Sequence, residues 1–338
     1  MESREFSMPR RFRLQRVAGL AVLVGLAALA AGCSGGSSSA APGGLEETNL
    51  HVAAVPAVDS AGLYIAKQRG LFAAEGLNVS ILSAISGKTT INGQLAGQFA
   101  VTSGNYVSYI LANAAPQRVG LKKAADFRVL APGSIMAANN QDIMVLPGSN
   151  IKTVSDLKGK RIAVNVTQNI GQLLVSSVLS DNAVPVNSVR FVPIQFPDMA
   201  KALQEHKVDA VWEPEPFITE AEENAGAIPL ADSDQGTTED LPISGYMVTA
   251  TWLKKNPNTA AAFRRALLKA QAIAATDPEA IQQGMEAFAK VPAQTASIEA
   301  VPQYPAQSNA ALLARLEALM LHFNMINQAY SVSQMVSK

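Results

Sequence analysis

Leu50-His-Val-Ala-Ala-Val55, Pro56, then Asp59-Ser-Ala-Gly-Leu-Tyr-Ile-Ala-Lys-Gln-Arg-Gly70 and Leu77-Asn-Val-Ser-Ile-Leu82 form the stretch on which the fold turns. The first run is short, apolar and stopped by proline, which describes a buried strand. Ser60 stands at the capping position of a helix that carries Leu63, Tyr64, Ala66 and Lys67 and breaks at Gly70. The third run is again a strand. Strand, helix and strand at this spacing predict an α/β fold with a mostly parallel sheet covered on both faces.

Reading outward, the pattern persists. A helix over 89–96 precedes the strand Phe99-Ala-Val-Thr102, which ends in Ser103-Gly104-Asn105 before a helix through Ala114. Residues 128–131 and 143–146 read as strands. A second block restarts at Arg161-Ile-Ala-Val164, followed by a helix over 170–179, a strand over 189–192, a helix over 198–205 and the strand Asp209-Ala-Val-Trp212. Residues 236–240 read as a loop and 246–250 as one more strand. Beyond them the chain turns helical over 258–275, 278–289 and 308–323, with Phe263, Leu267, Ala270 and Ala274 on one face of the first of these helices. No fixed-period repeat of the solenoid kind is present.

A chain of 338 residues, 48% hydrophobic and 16% charged, has the material for two domains with proper cores. The 27 basic and 27 acidic residues cancel, so no basic face supports nucleic-acid binding. One Cys excludes a disulfide framework and a thiolate metal cluster, and three scattered His argue against a His-based metal site. No cofactor is expected.

The basic residues are unevenly placed. Residues 1–32 hold Arg4, Arg10, Arg11, Arg13 and Arg16 against Glu2 and Glu5, leaving 22 basic and 25 acidic residues in the remainder. The apolar run Val17–Ala31 follows this cationic start and is too short for a spanning helix, so 1–32 reads as a secretory signal. Leu29-Ala-Ala-Gly-Cys33 resembles a bacterial lipobox, which implies cleavage before Cys33 and lipidation of its thiol. Several acyl chains hold a protein firmly on a membrane. The chain is then exported and anchored on the outer face of the cytoplasmic membrane. The Arg pair at 10–11 leaves Sec and twin-arginine export both open. Residues 33–48, rich in Gly and Ser, have the composition of a flexible tether, with folded structure starting near Asn49.

Three segments carry a family likeness: Asp59–Val79, Ile151-Lys-Thr-Val-Ser-Asp-Leu-Lys-Gly-Lys-Arg-Ile-Ala-Val164, and Lys207-Val-Asp-Ala-Val-Trp-Glu-Pro214. Together they resemble the ABC-transporter solute-binding proteins that serve nitrate, sulfonates, taurine and thiamine-pyrimidine precursors. That resemblance implies a type II-like periplasmic-binding-protein fold, two α/β lobes joined by crossover strands. Lobe one would comprise 49–142 plus 243–338 and lobe two 143–242, with crossings near 141–147 and 240–247. It also implies a monomer that takes a small solute, sulfonate-like or pyrimidine-like, to an ABC permease and its ATPase subunit.

Ligands of such sheets sit outside the carboxyl ends of strands, so the loops after strands hold the candidates. Asp59 and Ser60 begin a helix whose free N–H groups would suit an anion, or they simply cap it. Ser103, Gly104 and Asn105 repeat that geometry, and Thr167, Gln168 and Asn169 face them from the second lobe. Ser86 precedes Gly87-Lys-Thr89, which lacks the upstream Gly of a phosphate loop; Ser86 and Lys88 either touch ligand or remain solvated. Trp212 stacks on a flat ligand or fills the core, and Glu213 accepts from an amine or from backbone. Tyr246 is a further aromatic candidate. A desulfinase resembles the same group, but the single Cys belongs to the lipobox and no His lies at a strand end, so no catalytic residues are assigned. A sensing or surface-interaction lipoprotein of this fold is the remaining alternative.

Overall fold

Val52, Ala53 and Ala54 are fully buried, as the apolar run before Pro56 requires of an inner strand. The computed structural model describes residues 44–84 and 87–336, with 87 and 88 described by backbone alone. The signal 1–32, Cys33, most of the tether and Ser86 lie outside the described residues. The first block runs β1 (Asn49–Ala54), α1 (Ala61–Gln68), α2 (Leu71–Ala74), β2 (Asn78–Ser83), α3 (Gly87–Leu95), β3 (Val101–Asn105), α4 (Tyr106–Ala114) and β4 (Phe127–Ile135). The second runs β5 (Gln141–Val145), β6 (Arg161–Val164), α5 (Ile170–Asp181), β7 (Arg190–Pro193), α6 (Phe196–Gln204), β8 (Ala210–Pro214), α7 (Phe217–Ala225) and β9 (Ile228–Asp232). The chain then returns through β10 (Pro242–Thr249) into α8 (Ala250–Lys255), α9 (Pro257–Ala274), α10 (Pro278–Gly284), α11 (Ala293–Ala296) and α12 (Ala310–His322).

Two five-stranded sheets result, ordered β2-β1-β3-β10-β4 and β7-β6-β8-β5-β9. β1 pairs in parallel with β2 and β3, and β6 with β7 and β8. β10 is antiparallel to both its neighbours, as is β5 to β8 and β9. The expected mostly parallel sheet is therefore a mixed one, with a single reversed strand in each copy. In both sheets that strand is the one arriving from the other sheet. The links run over 136–140 and 233–241, a few residues before the expected crossings, so Gln141 and Asp142 already belong to the second sheet.

The predicted apolar face of 258–275 is seen in α9, where Phe263, Leu267, Ala270 and Ala274 are buried. α9 packs against α1, and Phe263 stacks on Phe72 at 4.8 Å. Ordered contacts begin slightly before Asn49. The Glu46 carboxylate accepts from the N–H groups of Asn258 and Thr259 at the start of α9, where unpaired donors and the helix dipole favour an anion.

The second sheet carries an unusual row. β5–β8 and β5–β9 pairing sets Asp142 opposite both Glu213 and Asp232, placing three carboxyl groups side by side on one face. Asp142 and Glu213 are buried, and among the described residues no ion pair reaches them. Glu215, Glu220, Glu222 and Glu299 join them around α7 and the segment after α11. Burial first, then the charges of Asp232, Glu215 and Glu222, pushes Asp142 up to about 8. Burial, then Glu215 and Glu220, pushes Glu299 up to about 8. Glu215 rises to about 7 through burial, despite bonds from Thr219 and the Ala300 N–H. Glu213 is driven well above the carboxylate range by burial, Glu220 and Glu215.

These groups hold protons in the folded chain that they lose in the unfolded one, so rising pH favours unfolding. Their stabilisation is complete below the ordinary carboxylate range and is lost as pH climbs through about 7 to 8. Thermal unfolding followed from pH 5 to pH 8.5 is expected to give a falling midpoint. Asp142→Asn should flatten that slope and raise the midpoint at the alkaline end; a wild-type midpoint that climbs with pH contradicts the assignment.

Candidate functional site

Because β5 and β10 run against their neighbours, their first residues lie at the same end as the last residues of the other strands. A cavity of about 50 Å³ opens there between the two sheets. Val55, Ala57, Asp59 and Ser60 after β1, Ser103, Gly104 and Asn105 at the end of β3, and Ile243 and Ser244 of β10 form one wall. Gln141 of β5, Asn165 after β6, Ile170, Phe196, Trp212 and Pro214 form the other.

The first wall is tightly organised. Ser60 Oγ and Ser103 Oγ lie 3.1 Å apart within hydrogen-bonding reach. Asn105 caps α4 by accepting from the Ser108 N–H at 2.9 Å. Ser134 Oγ donates to Asp59 Oδ1 at 2.7 Å and sits 2.9 Å from Ser244 Oγ. Burial pushes the Asp59 carboxyl up to about 6, and the Ser134 bond partly opposes that. Neither Asp59 nor Ser60 caps α1 with its side chain, so the capping role does not explain them. The anion reading of this loop loses part of its donors. A 3₁₀ turn at Val58–Ser60 precedes α1, and the N–H groups of Ala57, Val58, Ser60 and Ala61 go to carbonyls of Val55, Glu215, Ala57 and Val58.

On the second wall, Trp212 is 2% exposed and its indole leans on Phe196 at 6.0 Å, which itself stacks on Phe217 at 5.0 Å. The ring lies against α5 at Gly171, where any Cβ would come within 2.4 Å of Trp212 Cε3. Strand alternation sends the next residue, Glu213, to the opposite face, into the carboxyl row and away from the cavity. Tyr246 is likewise outside the lining; fully buried, it packs in the core of the first sheet opposite Ser103 and Ala131.

Thr167, Gln168 and Asn169 do not line the cavity either. Gln168 has a left-handed backbone, φ 58°, which turns the loop so that Thr167 is exposed. Asn169 caps α5 and donates to Asn165 Oδ1 at 2.6 Å. The lining residue there is Asn165, immediately after β6. Six of the expected residues thus meet at one cavity: Asp59, Ser60, Ser103, Gly104, Asn105 and Trp212.

Gln141 is the polar lining residue that sequence reading missed. It is 1% exposed, yet neither atom of its amide has a hydrogen-bond partner among the described residues, and the Trp212 indole N–H is also unpartnered. Buried polar groups are normally paired, so open donors and acceptors at a cavity mark where a ligand completes the structure. The one signal in the sequence was the polar pair Gln141-Asp142 opening an otherwise apolar strand. Among the described residues no group of His, Cys, Asp and Glu could hold a metal ion, and no helix is long and apolar enough to cross a membrane.

Solved structures similar in architecture include periplasmic binding proteins and the desulfurization enzyme DszB. The ligand-binding component of an ABC-type import system from Staphylococcus aureus, solved with zinc bound, has a TM-score of 0.74 at 14% identity, covering 86% of this chain and 97% of that one. The periplasmic aliphatic sulphonate binding protein SsuA from Escherichia coli has a TM-score of 0.66 at 19% identity, covering 86% and 97%. The nitrate-binding protein NrtA from Synechocystis PCC 6803 gives 0.68 at 19% identity, covering 75% and 70%. No curated protein matches in sequence. At these identities the likeness establishes the two-sheet α/β fold and leaves the ligand open. The family described as NMT1/THI5-like matches residues 57–281, and the chain belongs to it.

Proposed function

We propose that the protein is the extracytoplasmic solute-binding component of an ABC importer, held on the membrane by lipid at Cys33. It captures a small polar organic solute, sulfonate-like or pyrimidine-like, between its two sheets and presents it to the permease. The observation that carries this reading is the inter-sheet cavity lined from both walls, with Gln141 and Trp212 among its lining residues and their buried amide and indole N–H unpartnered among the described residues. The sulphonate- and nitrate-binding folds to which the chain is similar support it. A single-wall cavity would bind without reporting. A ligand touching both walls favours the closed arrangement through its differential contacts, which is what a permease can recognise. At about 50 Å³ the cavity takes a group the size of a few water molecules, so larger solutes require the walls to part. Among the described residues no Cys or His lines it, so its serines have no imidazole beside them to act as general base.

Thermal unfolding of the full chain with taurine, an alkanesulfonate, nitrate and an aminopyrimidine tests the reading. A true ligand at a hundredfold excess over its Kd should add about 2.7 kcal/mol of stability. Turnover of any of these solutes would overturn the proposal, as would a flat response to every member of a broad solute panel.

Two substitutions then separate site from scaffold. Gln141→Leu removes an amide with no protein partner, so the unliganded midpoint should hold or rise while affinity falls about tenfold, or ~1.4 kcal/mol. Gly171→Ala should displace the Trp212 indole into the cavity, seen as an altered near-ultraviolet dichroism together with weakened binding. Unchanged affinity in both variants would place the ligand elsewhere.

A further inference from the structure

We infer that Asp59 is the specificity-determining residue of the cavity and that it selects a solute presenting a nitrogen cation or N–H donors, against oxyanions such as sulfonate and nitrate. This rests on the solute-binding reading above and sharpens its ligand class.

Four observations converge on Asp59. It is the only charged side chain among the described lining residues, so the cavity carries negative charge with no described cation to balance it. Its carboxylate receives one hydrogen bond, from Ser134 Oγ to Oδ1, although an ionised carboxylate has about four acceptor sites. Four of the neighbouring backbone donors that would welcome an anion, the N–H groups of Ala57, Val58, Ser60 and Ala61, are already bonded to carbonyls. Finally, Ser134 gives its hydrogen to Asp59 and sits within bonding distance of Ser244, and the Ser60–Ser103 pair spends one of its two hydroxyl hydrogens on itself, so few hydroxyl donors remain for an oxyanion.

Burial at this position leaves the carboxyl, at about 6, mostly ionised at neutral pH. An oxyanion brought beside it meets like charge at low dielectric, where repulsion is poorly screened. A nitrogen cation supplies the missing charge and donates to the open lone pairs. Gln141 and Trp212 complete the recognition on the facing wall. The amide takes either a donor or an acceptor, the indole N–H takes an acceptor, and the rings of Trp212 and Phe196, inclined at 50° to each other, give an aromatic apolar wall. The chemistry selected is therefore a flat, N–H-rich solute such as an aryl amidine or a guanidine.

Benzamidine and benzenesulfonate share a ring and differ in the sign of the headgroup, and benzamide supplies the neutral form. Calorimetric titration of the full chain with the three compounds is expected to rank benzamidine at least tenfold above benzenesulfonate, with benzamide between them. Asp59→Asn should abolish that preference, lowering benzamidine affinity about tenfold or more while retaining benzamide. Ser134→Ala, which leaves the carboxylate in place, should preserve the ranking and so separates charge recognition from damage to the wall. Benzenesulfonate binding more tightly than benzamidine, or benzamidine binding untouched by Asp59→Asn, overturns the assignment of Asp59 while solute binding survives. Failure of all three compounds to bind overturns the assignment and counts against the solute-binding reading as well.

Discussion

Each sheet borrows one strand from the other, and that exchange organises everything else in the molecule. A chain that leaves the first sheet at the end of β4 and crosses directly into the second must run its new strand away from the junction. The same holds for β10 on the return. Each sheet therefore has four strands running one way and one reversed strand, inserted between the third strand and the edge. Strand-end loops are where α/β sheets ordinarily expose functional groups. The reversed strand adds its starting residues to the same rim, which is how Gln141 and Ser244 come to stand beside Asn165, Trp212, Asn105 and Asp59. Without the exchange, the two walls would be separate surfaces with no reason to face each other.

The links themselves are held in place by hydrogen bonds. The Asn139 N–H donates to Asp232 Oδ2, the Asp240 N–H to Asp234 Oδ1, and Gln303 reaches both the Met136 carbonyl and the Asp240 carboxylate. Contacts between the two halves continue past the links: the Val58 N–H donates to the Glu215 carbonyl, and the Thr295 hydroxyl to Glu223. Apolar contacts join them as well: one buried cluster runs through both halves, with α4 and α12 packed against α5, so a change in their spacing has to slide or part that packing.

Most of the architecture was legible because the strands are short apolar runs with helical spacing between them. β6 at Arg161–Val164 matches its expected run without adjustment. α7 and β9 were not legible: Phe217–Ala225 carries three Glu, and Ile228–Asp232 is half-exposed with a Pro at its second position. The same limits apply at the site. The segment after β1, at Asp59–Ser60, and the end of β3, at Ser103–Asn105, reach the cavity as local reasoning expects. Gln141 escaped because its position depends on a crossing, which is a property of the pairing between distant strands. Glu213 and Trp212 were read together as candidates, although alternation along one strand forbids neighbours from sharing a face. Chain pattern alone cannot say which of the two faces the cavity, since both are buried.

That alternation makes the second sheet two-sided in charge as well as in shape. Its cavity side presents Trp212, Pro214 and Gln141, none of them charged, while its reverse side gathers Asp142, Glu213 and Asp232. Were that row fully ionised, its field would reach through β5 and β8 into the cavity. Burial opposes this by raising Asp142 to about 8, so that it keeps its proton near neutrality, and by driving Glu213 well above the carboxylate range, which lowers the charge of the row. Asp59 lies on the other wall with its carboxyl at about 6, low enough to stay ionised under the same conditions. The cavity therefore draws its charge from one residue, and the tendency of buried acids to keep their protons is what allows a single carboxylate to dominate it.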